Sequence, residues 1–166
     1  SAGLVLVLAV ALLFSCSASN PNGTTSPVAE VSNAGWRELK LHYNDLERWF
    51  RVYQPPQLAA GCPVVVLLHG GTQSMRKIFR LRSGGTQEWR QVADKEKFLL
   101  LVPNGTNPET GDTFGNKQNW NDVRNSARVN NPVVDDVGFV RELFKWSRTH
   151  YPVDLQRFYV TGASNG

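Results

Sequence analysis

The stretch that decides the fold is Arg157-Phe158-Tyr159-Val160-Thr161-Gly162-Ala163-Ser164-Asn165-Gly166. Its first half is rich in aromatic and β-branched residues, which predicts a β-strand. The strand leads directly into a Gly-x-Ser-x-Gly pattern, in which two glycines flank Ser164. This pattern predicts a sharp turn, because the backbones before and after the serine pass too closely for side chains at Gly162 and Gly166. Such a turn presents the serine hydroxyl to solvent.

The sequence before this motif predicts strands and helices in alternation. Apolar and polar residues alternate in the first two strands, which indicates an antiparallel hairpin turning near Asn44-Asp45, whereas later strands are continuously apolar. In chain order, the predicted elements are hairpin strands at 36–42 and 48–53, a strand at 63–68, a helix around 89–93, a strand at 98–102, a loop at 104–134, a helix from Asp135-Asp136 to about His150, and a strand at 157–161. This order predicts an α/β fold, with a hairpin and parallel strands carrying helices on both faces.

The loop at 104–134 is rich in Asn and Gly, lacks periodicity and is long for a passive connection, which favours a binding role. Trp120 and Asn121 within it either line a substrate pocket, with the indole stacking on an aromatic or sugar group, or serve to pin the loop by packing. We interpret Asp135 and Asp136 as helix-capping residues rather than site residues.

The first 34 residues predict export. Residues 3–14 form an unbroken apolar run of twelve, the length of a signal-peptide core, so residues 1–16 are interpreted as a signal peptide. Leu13-Phe14-Ser15-Cys16 resembles a bacterial lipoprotein cleavage box, which would make Cys16 a lipidated first residue; the alternative is cleavage near Ala18, which releases a soluble protein. Residues 17–34 predict a flexible linker. We expect a secreted protein or one of the bacterial cell envelope.

Composition and charge indicate the number of domains and the kinds of partner to expect. The 166 residues are 41% hydrophobic and 19% charged, which suits one globular domain over residues 35–166. The net charge of +4 is scattered without a basic stripe, so no nucleic-acid partner is expected, and a membrane contact is expected only through Cys16.

Individual histidines, cysteines and asparagines predict no further chemistry. His42 and His150 lack partners at metal-ligand spacing, so no metal and no cofactor are expected. We interpret Cys62 as a small apolar residue at a strand entry. The Asn-Gly-Thr sequons at Asn22 and Asn104 are attributed to chance.

The Gly-x-Ser-x-Gly motif predicts nucleophilic catalysis. Ser164 is the candidate nucleophile, and the backbone N–H of Asn165, at the start of the next helix, is placed to stabilise an oxyanion. The segment His69-Gly70-Gly71-Thr72 follows the buried strand at 63–68. In α/β folds that carry a Gly-x-Ser-x-Gly turn, the loop at this position supplies a second N–H to the oxyanion. We assign this N–H to Gly71, with Thr72 as the alternative. His69 is interpreted as a structural histidine, because the general base of this architecture follows the serine in the chain.

Several motifs occur in order over residues 48–166. They are Arg51-Val52-Tyr53-Gln54-Pro55, Leu68-His69-Gly70-Gly71-Thr72-Gln73, Ala93-Asp94 through Phe98 to Pro103-Asn104, Trp120-Asn121-Asp122, Asp135-Asp136-Val137-Gly138-Phe139, and the terminal strand with its serine motif. This part of the chain resembles the polyhydroxybutyrate-depolymerase/feruloyl-esterase group of α/β-hydrolases.

The resemblance implies a secreted or envelope serine carboxyl-ester hydrolase that acts through an acyl-enzyme. The implied substrates are polyhydroxybutyrate-like polyesters, or feruloyl and acetyl esters of polysaccharides. The catalytic Asp and His of this group follow the serine, so Asp94, Asp122, Asp135 and Asp136 are not assigned to that role. We therefore interpret the sequence as the N-terminal part of the domain and expect this fragment alone to be inactive.

Two alternatives remain open at this point. The first is a non-catalytic envelope binding protein on the same fold, and the second is a serine peptidase of the α/β-hydrolase fold. The residues downstream of the motif would separate the first from an enzyme, because the binding protein would lack an Asp and a His at strand ends. Substrate identity and oligomeric state are not assigned from the sequence.

Overall fold

A computed structural model describes residues 34–80, 88–124 and 131–166. The predicted signal peptide, Cys16 and nearly all of the predicted linker lie outside these ranges. Within them, no helix is long and apolar enough to cross a membrane.

The N-terminal strands form the expected hairpin. Strand β1 (Gly35–Tyr43) pairs antiparallel with β2 (Leu46–Gln54) along its whole length. Asn44 and Asp45 join them with φ angles of 47° and 59°. Two consecutive residues with positive φ give a turn whose twist matches that of the strands, and Asn and Asp tolerate this conformation better than most residues. The prediction of the hairpin and its turn is confirmed.

The remaining strands build a mixed sheet around a parallel centre. Strands β3 (Cys62–Leu68), β4 (Leu99–Pro103) and β5 (Val153–Gly162) complete a five-stranded sheet of order β1-β2-β4-β3-β5. Strand β3 is parallel to both β4 and β5, and β2 is antiparallel to β4. Strand β5 starts earlier than the predicted 157–161, because Val153 pairs with Cys62 across an irregularity in the ladder. That extension depends on the partner strand and has no local signal.

Among the described residues, one helix covers each face of this sheet, as predicted. Helix α1 (Trp89–Glu96) ends at Lys97 in a left-handed conformation with φ of 56°, and helix α2 (Asp136–His150) begins after the capping residue Asp135. A short 3-10 turn at Lys77–Phe79 follows the loop after β3 and was not predicted.

Each face of the sheet has its own apolar core. The α2 side contains Phe50, Val64, Val66, Leu99, Leu101, Phe139 and Leu143. The α1 side contains Tyr53, Val65, Leu67, Ala93, Phe98, Leu100 and Val102. Successive residues of β3 and β4 alternate between these sets, which explains why both strands are continuously apolar in sequence. Cys62 is buried with a free thiol at the start of β3, and burial raises the pKa of that thiol, in agreement with its interpretation as an apolar residue.

The sheet order places two loops side by side. In the register between β3 and β5, Leu68 pairs with Gly162, the last residue of β5. The segments that begin at His69 and at Ala163 therefore leave the sheet side by side, at the carboxyl ends of β3 and β5. In open α/β sheets, the carboxyl ends of parallel strands are where ligands bind.

Candidate active site

Ser164 lies at the apex of a sharp turn after β5. It is exposed and has a φ of 57°, in the left-handed region that a residue with a Cβ enters at a cost of about 1 to 2 kcal/mol. The N–H of Gly166 donates to the carbonyl of Ala163 at 3.0 Å and closes the turn. This geometry is that of the sharp turn predicted from the motif, and we term residues 162–166 the elbow.

The two glycines of the motif are required by close backbone approach. A Cβ at Gly162 would lie 2.6 Å from the carbonyl carbon of Gly166, and a Cβ at Gly166 would lie 2.6 Å from the backbone oxygen of His69. Carbon atoms are not tolerated at these distances from backbone atoms, so any larger residue would displace the turn. The steric reason inferred from the motif is therefore present in the structure.

The loop after β3 packs directly against the elbow. A Cβ built on Gly70 would lie 3.5 Å from the Cβ of Ser164, and one built on Gly71 would lie 3.5 Å from the Cβ of Asn165. The N–H of Thr72 donates to Asn119 Oδ1 at 2.8 Å, so that hydrogen is already engaged. The assignment of the second oxyanion donor to Gly71 stays a prediction, and its alternative, Thr72, has its N–H occupied by Asn119.

His69 is a structural residue that joins two strand ends. It is fully buried, its Nε2 accepts from the N–H of Gly105 at 3.0 Å, and its Nδ1 lies 2.8 Å from the carbonyl oxygen of Gly70. Because a backbone N–H can only donate, Nε2 carries no proton and Nδ1–H donates to Gly70. Desolvation by burial lowers the pKa of His69 to about 4, while the bond to Gly70 acts in the opposite direction. Both ring nitrogens are used, as expected for a histidine that holds loop backbone.

This burial predicts an acid-sensitive contribution to stability. Between about pH 6.5 and pH 4, the unfolded chain binds a proton at His69 that the folded chain excludes, so the folded state loses stability as the pH falls. We expect the loss attributable to this residue to be about 2.5 kcal/mol between pH 7.5 and pH 4.5. Urea unfolding of the parent and of His69→Gln at both values measures it, since the variant lacks the titrating group. An equal pH dependence in the two proteins would contradict the prediction.

Trp120 and Asn121 hold the long loop in place. Trp120 is only 4% exposed, its indole N–H donates to the carbonyl of His69 at 2.7 Å, and its ring lies 4.8 Å from the imidazole. Asn121 donates through its side chain to the carbonyl of Val134 at 3.0 Å. Of the two interpretations, the structure favours the one in which Trp120 pins the loop. The role of Asn121 in substrate binding remains a prediction.

The aspartates set aside from catalysis have structural partners. Asp135 caps helix α2 by accepting from the N–H of Gly138 at 2.8 Å, as predicted. Asp136 is not a cap, which corrects the interpretation from sequence: it forms a buried ion pair with Arg48 at 2.5 Å. Asp94 accepts from the hydroxyl of Tyr53 at 2.6 Å.

Two residues near the site were missed by sequence reasoning. Arg48 is only 1% exposed and lies on the same face of β2 as Phe50 and Val52. A charged residue in register with core positions is a signal that could have identified it. Asn119, which accepts from Thr72, has no comparable signal, because its role depends on a contact across 47 residues.

In the described part of the chain, neither His69 nor His150 is hydrogen-bonded to Ser164. His69 is bonded to Gly70 and Gly105, and His150 stacks on Trp146 at the end of α2 and bonds that residue's carbonyl. His42 lies in β1, at the opposite edge of the sheet from β5. Within the same ranges, no group of three or more His, Cys, Asp or Glu residues could hold a metal ion. Within the described residues, the arrangement therefore presents an exposed serine beside the backbone of the loop after β3.

The chain is similar to known proteins in sequence and in fold. No protein-family model matches the chain. Over 120 residues it is 27% identical to the bifunctional acetylxylan esterase/xylanase XynS20E of Neocallimastix patriciarum, a match covering 72% of this chain and 14% of that protein.

Solved structures share the fold at low sequence identity. An S-formylglutathione hydrolase from Agrobacterium tumefaciens aligns with a TM-score of 0.57 and 19% identity, covering 78% of this chain and 48% of that one. Acetyl xylan esterase from Aspergillus awamori gives a TM-score of 0.56 and 17% identity, with coverages of 78% and 43%. A ferulic acid esterase gives 0.53 and 18%, with coverages of 81% and 52%. The chain has the α/β-hydrolase fold and spans about half the length of these structures.

Proposed function

We propose that this protein hydrolyses carboxyl esters through an acyl-enzyme formed on Ser164. The observation that carries the proposal is the elbow itself: an exposed serine in a left-handed conformation, held between two close-packed glycines and next to the Gly71 and Asn165 backbones. An unreactive surface serine has no need of a strained backbone, whereas a nucleophile does, because the strain lifts the hydroxyl toward substrate.

The proposed reaction has two steps. The Ser164 hydroxyl oxygen attacks the ester carbonyl while a histidine that follows the motif in the chain removes the proton. The N–H groups of Gly71 and Asn165 stabilise the negative oxygen of the tetrahedral intermediate, which then expels the alcohol, reprotonated by the same histidine. Water attacks the acyl-enzyme in the second step and releases the carboxylic acid with Ser164 restored.

We propose acetyl or feruloyl esters of polysaccharides as the substrate class. The support is the similarity to an acetylxylan esterase/xylanase in sequence, and to an acetyl xylan esterase and a ferulic acid esterase in fold. A polyester substrate, a polyhydroxybutyrate-depolymerase affiliation and a peptidase activity rest on the sequence alone. Secretion or envelope attachment, with a lipid on Cys16 as one form of it, is likewise proposed from the leader sequence.

A substrate panel tests this function. The protein expressed with its complete coding sequence is assayed on p-nitrophenyl acetate, methyl ferulate, acetylated xylan, a polyhydroxybutyrate film and a peptide anilide. We expect turnover of p-nitrophenyl acetate and of at least one of the two plant-type esters. Release of 3-hydroxybutyrate without action on the plant-type esters would reassign the substrate class, and cleavage of the anilide alone would replace the esterase with a peptidase.

A further inference from the structure

The side chain of Asn165 is bound as though it were a segment of backbone. Its Oδ1 accepts from the N–H of Trp120 at 2.7 Å, and its Nδ2 donates to the carbonyl of the same residue at 3.2 Å. A side-chain amide that pairs with both backbone groups of one residue reproduces the hydrogen bonding of a short antiparallel bridge. The residue after the nucleophile is therefore tied to the long loop.

Asp122 completes this attachment. Its Oδ2 accepts from Asn165 Nδ2 at 2.6 Å, and the same carboxylate accepts from Asn131 Nδ2 at 2.9 Å. Arg124 binds it through Nε at 2.7 Å and also through its terminal nitrogen. The hydrogen bond from Arg124, with help from those of Asn131 and Asn165, holds the pKa of Asp122 well below its ordinary value, so it is an ionised acceptor whose charge is balanced by Arg124.

The long loop is also attached to the loop after β3, which contains Gly71. Trp120 donates through its indole to the carbonyl of His69, and Asn119 accepts from the N–H of Thr72 at 2.8 Å. Gly71 lies between these attachments: a Cβ built on it would be 3.4 Å from Asn119 Oδ1 and 3.5 Å from the Cβ of Asn165. Residues 119–122, which we term the clamp segment, therefore contact both backbones that carry the assigned oxyanion donors.

We propose that Asp122 is a positioning residue, which acts through the Asn165 side chain to fix the backbone N–H of Asn165 toward the oxyanion. The proposal rests on the proposed function and deepens it. The triad aspartate is expected to follow the serine in the chain, and the carboxylate of Asp122 is already bonded to Asn165, Asn131 and Arg124. Its contribution is geometric: oxyanion donors work only when they are aimed at the position that the charged oxygen will occupy.

The clearest test is the effect of Asp122→Ala on kcat. Loss of the carboxylate removes the hydrogen bond from Asn165 Nδ2 to Asp122, while Ser164 and Asn165 themselves are unchanged. Because the oxyanion exists only in the transition state and intermediate, we expect kcat to fall about 10- to 100-fold, with KM changed less than about 2-fold. Asp122→Asn retains an oxygen that accepts from Asn165 Nδ2, so it should keep kcat within about 3-fold of the parent value.

Two further variants separate this role from general loosening of the loop. Asp112→Ala removes a hydrogen bond to Phe114 N of 2.9 Å in the same loop but touches neither Asn165 nor the clamp segment, and it should leave kcat near the parent value. Asn165→Ala should lower kcat at least as much as Asp122→Ala, because it also removes the two bonds to Trp120. The double variant should be no worse than Asn165→Ala, because Asp122 acts through the Asn165 side chain.

Hydrogen-deuterium exchange provides a readout that does not depend on turnover. The peptide containing Asn165 and Gly166 should exchange at least about 10-fold faster in Asp122→Ala than in the parent, with no such change in Asp112→Ala. Faster exchange together with a selective loss of kcat supports the proposal. Unchanged exchange, additive losses in the double variant, or an Asp122→Asn defect as large as that of Asp122→Ala would overturn it. An inactive parent protein with the expected exchange pattern would refute the esterase function while leaving the clamp established.

Discussion

Ser164→Ala is expected to lower kcat for p-nitrophenyl acetate by about 10⁴-fold or more relative to the parent enzyme. The substitution removes only the hydroxyl oxygen that would form the acyl-enzyme. The backbone donors at Gly71 and Asn165 remain, so a residual rate above that of water is expected from binding and oxyanion stabilisation alone. Steady-state kinetics on the protein expressed with its complete coding sequence measure the change, and electrospray mass spectrometry detects the acyl adduct in the parent only.

The variant also serves as its own folding control. Alanine keeps the Cβ that already occupies the left-handed conformation of φ 57°, so the free energy of unfolding should stay within about 0.5 kcal/mol of the parent value. Substantial turnover by a folded Ser164→Ala protein would remove Ser164 from the mechanism. Ser164→Gly offers the converse measurement: it should be slightly more stable, because glycine adopts this conformation without strain.

Asp136→Ala is expected to destabilise the fold by about 3 to 5 kcal/mol. Asp136 pairs with Arg48 at 2.5 Å, and the side chains are 7% and 1% exposed respectively. Removal of the carboxylate leaves a guanidinium buried without a counter-charge, its Cζ lying 4.1 Å above the ring of Phe139. The variant also removes the acceptor for the N–H of Asn121, at 2.7 Å, and so loosens the loop beside the site. Urea unfolding measures the loss.

A solvent-exposed pair provides the matched control. Asp154 and Arg157 are bonded at 2.7 Å, with side chains 34% and 47% exposed. Asp154→Ala should change the free energy of unfolding by less than about 1 kcal/mol, because water replaces the lost partner of an exposed charge. The paired replacement Arg48→Met with Asp136→Leu should be less destabilised than Asp136→Ala, since it leaves no orphaned charge. A loss below about 1 kcal/mol in Asp136→Ala would show that the buried arginine is solvated in another way.

The Asn-Gly-Thr sequon at Asn104 lies in the interior of the protein. Asn104 belongs to an Asn-Gly-Thr sequon, yet it is fully buried, and its side chain bonds the backbone of Met75, Thr113 and Gly115. An amide used in this way is inaccessible to a glycosylating enzyme in the folded protein. Its sequence context is thus explained by loop architecture rather than modification.

The local pattern of the chain determined the elements and the elbow. Period-two alternation identified the hairpin, continuous apolar runs identified the buried strands, and helical spacing with Asp135 at the start identified α2. Gly162, Ser164 and Gly166 predicted the turn because its steric requirement is confined to five neighbouring residues. These features depend on short-range geometry, which the order of residues specifies directly.

The tertiary structure alone decided which distant residues meet at the elbow. The ties from Asn165 to Trp120 and Asp122 span 45 and 43 residues, and the pairing of Arg48 with Asp136 spans 88. Such contacts follow from the strand order β1-β2-β4-β3-β5, which places loops from separate parts of the chain together at the carboxyl ends of the parallel strands. A buried polar group takes whichever partner this arrangement brings within hydrogen-bond reach, and no local pattern records that choice. The sequence by itself therefore predicted the turn and the serine at its apex, while the fold decided which residues hold that turn in place.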